Sequence, residues 1–137
     1  KIDCPVIIVP SGYKKHQLSR VLLTVDNQEK VHSASLKGFE NFIKESKAKL
    51  DLLHVRTQEE VFVPATDTLK INGKKLKIDT INAHDLQLGV KKYSSPGSVD
   101  LIAIISKKHS AFYNFFAESN TKKLAFSAKV PVMSIHE

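Results

Sequence analysis

Apolar residues along this chain come in short unbroken runs, separated by polar turns and by stretches with helical spacing. Arg20-Val21-Leu22-Leu23-Thr24-Val25-Asp26, Leu50-Asp51-Leu52-Leu53-His54-Val55 and Leu101-Ile102-Ala103-Ile104-Ile105 are rich in branched side chains. Apolar runs this short and continuous read as strands buried on both faces, the habit of a parallel sheet. Val130-Pro131-Val132-Met133-Ser134-Ile135 closes the chain in the same manner. Leu36, Phe39, Phe42 and Ile43 fall on one helical face while Lys37, Glu40, Lys44 and Lys47 point elsewhere, which predicts a surface helix over the sheet. Thr121, Leu124, Ala125 and Ala128 share another helical face behind the caps Ser119 and Asn120. From Asp100 onward the order is therefore strand, loop, helix, strand. That is the closing unit of a doubly wound α/β domain, with its loop beyond the carboxyl end of a strand, where such folds bind ligands.

The middle of the chain is less regular. Val61-Phe62-Val63-Pro64 is apolar but interrupted by proline. Thr68 to Ile78 admits two readings. Asn72-Gly73 between alternating residues signals a tight hairpin, whereas the same pair also ends helices. Leu76 to Ile81 reads as the third strand, and its alternation of Leu76, Ile78 and Thr80 with Lys77 and Asp79 suits an outer position. A helix is predicted over Leu86 to Tyr93, capped by His84 or Asp85. Ser94-Ser95-Pro96-Gly97-Ser98 is a turn back to the Asp100 strand.

A chain of 137 residues makes about one domain. The apolar fraction of 42% is ordinary, and no apolar run approaches the ~20 residues of a membrane span. Cys4, the lone cysteine, allows no internal disulfide and fits a reducing, cytoplasmic setting. With 21 basic and 14 acidic residues the net charge is +7. That attracts phosphate-rich partners without dictating a fold.

Motifs for catalysis are missing. The six histidines show no paired metal-ligand spacing. There is no Gly-x-Ser-x-Gly elbow, and Gly73-Lys74-Lys75 lacks both the upstream glycine and the hydroxyl residue of a Walker loop. Cys4 beside Pro5 reads as a structural thiol, and His54 at a strand end as a packed side chain. No metal and no catalytic residue is expected.

The stretch from Asp100 to Glu137 resembles the end of a universal stress protein domain: an Asp-Leu-Ile strand, a loop, a helix and a Pro-Val strand. In nucleotide-binding members of that family the loop reads Gly, two residues, Gly, nine residues, then Gly-Ser or Gly-Thr. Here Ile105, Lys108 and Glu118 stand at the three glycine positions and only Ser119 matches. A phosphate loop needs glycine so that backbone N–H groups approach the anion. Glu118 also brings a carboxylate to a helix start, where two unit charges a few Å apart repel by ~4 kcal/mol. The usual ATP mode is therefore expected to be lost. Phe112, Tyr113, Phe115 and Phe116 cover the end of the sheet in this reading, and Lys107 to His109 with Lys122 and Lys123 form a solvated face.

The resemblance implies a Rossmann-like, doubly wound, five-stranded parallel sheet with helices on both faces, plus an extra N-terminal strand at the edge. It favours a short helix from about Ala65 to Ile71 over the hairpin. Asp26 matches the position that contacts the adenosine part of bound nucleotide, and the ligand-site candidates are Asp26, Val55, Ser106, Lys108 and Ser119. Cys4-Pro5-Val6-Ile7-Ile8-Val9-Pro10 has the Pro-Val character of a last strand. Residues 1–19 then belong to a preceding stress-protein domain and residues 20–137 form the second of a tandem pair. The last strand is expected at the sheet edge, pairing through residues 5–9 and 130–135 within the chain or in a homodimer. The implied role is a non-enzymatic, cytoplasmic, bacterial stress-response or regulatory domain with no cofactor. The alternative is a weak adenine-nucleotide sensor binding AMP or ATP. Neither a membrane nor nucleic acid is an expected partner.

Overall fold

The computed structural model describes residues 5–14, 17–25, 33–57, 67–93, 98–106 and 130–136. In chain order these form β1 (Val6–Ile8), β2 (Arg20–Thr24), α1 (Ser33–Ser46), β3 (Lys49–Arg56), β4 (Thr68–Ile71), β5 (Lys74–Asn82), α2 (Leu86–Tyr93), β6 (Leu101–Ser106) and β7 (Val132–His136). All seven strands join one sheet in the order β1-β7-β6-β2-β3-β5-β4. The five inner strands, β7 to β5 in that order, pair in parallel, while β1 and β4 close the two edges antiparallel.

The apolar runs explain the centre. Every residue of β2 from Val21 to Thr24 is buried, as is every residue of β6 from Leu101 to Ile105. Alternate side chains then serve opposite layers. Val21, Leu23, Leu101, Ala103 and Ile105 pack with Leu36, Phe39 and Ile43 of α1, and Leu22, Ile102 and Ile104 pack with Leu86 and Val90 of α2. Two helices on opposite faces thus give the predicted layered α/β architecture. Fully burying side chains of this size contributes about 1.5–3 kcal/mol each.

Local signals hold the ends. The Leu88 N–H donates to Asp85 Oδ1 at 2.8 Å, so Asp85 is the cap of α2 and the helix begins at the predicted Leu86. Asp100, only 3% exposed, accepts hydrogen bonds on one oxygen from the N–H groups of Ser19 at 2.7 Å and Arg20 at 2.9 Å. Its own N–H donates to the Arg20 carbonyl at 2.8 Å. This clamp sets the register at which β2 meets β6.

One feature departs from the sequence reading. No helix runs through residues 67–71; Thr68–Ile71 is a strand, hairpinned onto β5 through Asn72 (φ 50) and Gly73 (φ 79). Both turn residues sit in the left-handed region that a type I′ turn requires. The reason lies in spacing. Leu69, Ile71, Leu76 and Ile78 face the α1 layer together, which strand alternation allows, whereas residues two apart do not share a helix face. Glu40 on α1 reinforces the turn, its side chain accepting from the Asn72 N–H at 2.7 Å and its carbonyl from the Asn72 side-chain amide at 3.0 Å. At the opposite edge β1 takes the place expected of an extra N-terminal strand and covers β7, with Val6 opposite Ser134, Ile7 opposite Met133 and Ile8 opposite Val132.

Candidate functional site

From β2 the chain steps outward through β3 to β5, then returns to lay β6 and β7 on the other side of β2. The direction of winding reverses between β2 and β6. In open α/β sheets the crevice beyond the carboxyl ends of two such strands is where ligands bind. The last registered pair on that seam is Thr24 opposite Ile104.

The carboxyl end of β2 is anchored on both sides. The Val25 N–H donates to the Leu53 carbonyl at 2.9 Å. The Val25 carbonyl lies 2.9 Å from His54 Nδ1; since a carbonyl only accepts, Nδ1 carries the proton. His54 is 1% exposed, so it is the packed histidine expected from sequence, with a definite polar task. The Thr24 hydroxyl, fully buried, donates to the Ala103 carbonyl at 3.4 Å. Thr24 was not legible as a site-building residue, because a threonine inside an apolar run carries no distinguishing signal. The described backbone of β2 thus ends at Val25, held by β3 on one side and β6 on the other.

Of the candidate residues, Asp26, Lys108, Glu118 and Ser119 lie outside the described residues. Val55, Ile105 and Ser106 all stand at the carboxyl ends of parallel strands. The side chains of Val55 and Ile105 do not converge. Val55 is buried in the α2 layer, packed so closely on Gly89 that a methyl group there would collide with it. Ile105 is buried in the opposite, α1 layer near Val25, Leu36 and Ile135. Ser106 ends β6 opposite His136. The exposed Arg56 ends β3 opposite Asn82, its carbonyl accepting from the Ala83 N–H at 3.1 Å. It adds a basic residue to this end of the sheet that sequence reading did not single out; the signal was an arginine directly behind an apolar strand.

A second polar group links β2, β3, β5 and α2. Arg20 Nε meets Asp51 Oδ2 at 2.5 Å, and that hydrogen bond and charge raise the pKa of the guanidinium. The Tyr93 hydroxyl donates to Asp79 Oδ2 at 2.7 Å. Desolvation first, then the bond to Asp79, pushes Tyr93 up to about 12. The first pair links β2 to β3, and the second ties α2 to β5. Among the described residues no group of three or more His, Cys, Asp or Glu side chains is placed to hold a metal, and no helix is long and apolar enough to cross a membrane.

No family model matches the chain, and no curated protein is similar to it in sequence. A solved structure is similar in fold: a universal stress protein from Archaeoglobus fulgidus DSM 4304, with a TM-score of 0.61 and 14% identity, covering 100% of this chain. The fold is shared with a universal stress protein. At that identity the likeness speaks to architecture alone. The chain spans about half of the Archaeoglobus protein, 51% of its length.

Proposed function

We propose that this chain is a universal-stress-like regulatory domain that acts through pairing of domains along the β1–β7 edge, without catalysis and without the usual ATP mode. The observation that carries this reading is the antiparallel pairing of β1 with β7. β1 occupies the place that the final strand of a neighbouring domain would take, and among the described residues no strand pairs with its outer edge. Val6, Ile7, Ile8 and Val9 are 36%, 44%, 37% and 59% exposed there. An apolar strand at an open edge invites further pairing or covering. In this reading residues 1–19 carry the last strand of a preceding domain, consistent with a fold relative twice as long.

Loss of the ATP mode rests on Ile105, Lys108 and Glu118 at the positions of the loop glycines. Calorimetry with ATP and with AMP, alongside sedimentation across a concentration range, tests both halves. The expected result is no heat with either nucleotide and self-association that weakens when Ile7 and Val9 are changed to lysine. Stoichiometric ATP binding overturns the reading. A second reading, an adenine-nucleotide sensor, draws support from the anchored end of β2 at the switch point, with Asp26 next in the chain. Heat with AMP and none with ATP selects it.

A further inference from the structure

We propose that the outward face of the β4–β5 hairpin is a docking surface for the phosphodiester backbone of a nucleic acid. The hairpin sorts its side chains into two faces. Leu69, Ile71, Leu76 and Ile78 turn toward the α1 layer. Lys70 stands directly opposite Lys75 on the other face, with Thr68 opposite Lys77 beside them. All three lysines are exposed. From Thr68 to Ile78 the chain carries four lysines and no acidic residue; Lys74, opposite Ile71, is the one on the inner face. The next acid on the lysine face is Asp79, whose carboxylate is engaged by the Tyr93 hydroxyl. The helix expected from sequence over residues 65–71 would have separated Lys70 from Lys75 and Lys77. The strand brings them together.

Like charges directly opposite on a sheet are destabilising, and no carboxylate faces this pair from the hairpin. Lys70 lies on β4, and Lys75 and Lys77 lie on the part of β5 that registers with β4 alone, since β3 meets β5 only from Ile78 onward; the row thus stands on a two-stranded ribbon, where its charge also discourages further strand pairing. The row extends about 5 Å across the ladder and about 7 Å along β5. A row of point charges on flexible stems, without the fork geometry of arginine, suits a repeating line of phosphates better than a single phosphate or carboxylate. A membrane surface fits poorly, because insertion needs apolar side chains beside the basic ones and here these point inward.

The test is fluorescence anisotropy of the full chain with labelled single-stranded RNA and with duplex DNA, each across a salt series. Binding is expected at low salt, with log affinity falling linearly in log salt. The variant Lys70→Gln/Lys75→Gln/Lys77→Gln should lose most of that affinity and reduce the slope by about 2 to 3, because three phosphate contacts are removed. RNA and duplex DNA share the backbone chemistry, and whichever binds more tightly identifies the form preferred. The charge-matched variant Lys37→Gln/Lys44→Gln/Lys91→Gln, all exposed and off the row, should retain binding. An equal loss in both triple variants overturns the proposal, since net charge alone would then be responsible. So does absence of binding at low salt, or binding to phosphatidylserine vesicles with none to nucleic acid. Circular dichroism on each variant establishes that the fold is retained.

Discussion

His54 Nδ1 lies 2.9 Å from the carbonyl oxygen of Val25, joining the ends of β3 and β2 beside the point where the sheet reverses its winding. Both residues are buried. Leaving that carbonyl without a donor costs about 1–3 kcal/mol. His54→Leu keeps the bulk and loses the bond, so we expect destabilisation of about 1–2 kcal/mol by urea titration. His54→Ala, which adds a cavity, should cost about 3 kcal/mol. The Val25 amide should also exchange faster in both variants. A leucine variant as stable as the parent would deny the bond its role.

The Asp100 clamp makes a separate prediction. Both amide bonds, from Ser19 and Arg20, arrive at the same oxygen, Oδ2. Asp100→Asn can therefore present one carbonyl oxygen to both donors while losing the charge. Asp100→Ala leaves two N–H groups without their acceptor, and bonds to charged groups contribute about 1.5–3 kcal/mol each. We expect a loss of about 3 kcal/mol for alanine and roughly half that for asparagine. Equal losses in the two variants would show that the carboxylate matters for something other than these bonds.

The apolar runs of β2, β3 and β6 were legible because every residue in them is compatible with burial on two faces, and α2 was legible because Asp85 caps it. The same runs hid which face each side chain takes. Val55, a ligand-site candidate, and Ile105, which stands at a loop-glycine position, enter opposite layers, a distinction that an unbroken apolar run does not encode. The β4–β5 hairpin failed for another reason. Asn72-Gly73 suits a helix end and a hairpin turn equally, and one of the interactions favouring the hairpin comes from Glu40, far away on α1. At the candidate site, the anchoring bonds of Thr24 and His54 depend on partners in neighbouring strands that the linear sequence does not reveal.

Gly89 presents a case in which helix propensity and packing oppose each other. Alanine in a helix interior is favoured over glycine by about 1 kcal/mol. A Cβ at Gly89 would however lie 2.5 Å from Val55 Cγ2, and overpacking costs typically about 1–3 kcal/mol. We expect Gly89→Ala to destabilise, and the combination with Val55→Ala to be less harmful than the sum of the two single changes. A complete cycle by urea titration measures this coupling. A stabilised Gly89→Ala variant would mean that α2 moves away from the sheet at little cost.

The bond from Tyr93 to Asp79 should make stability depend on alkaline pH. Tyr93 has its folded-state pKa pushed up to about 12, first by desolvation and then by the hydrogen bond to Asp79, from about 10 in the unfolded chain. The folded state therefore holds the phenolic proton more tightly than the unfolded state does. The contribution is fully present below about pH 10 and is lost as pH rises through about 12. Tyr93→Phe removes the bond and the titration together, so it should cost about 1 kcal/mol near pH 8. The stability difference between parent and variant should narrow as pH climbs from 10 toward 12, which cancels the contribution of lysines common to both. Three tyrosines contribute to the phenolate absorbance of the parent, and subtracting the titration of the variant isolates Tyr93. A difference midpoint near 10 would show that the hydroxyl is neither desolvated nor held by Asp79, and α2 would then lack that tie to the sheet.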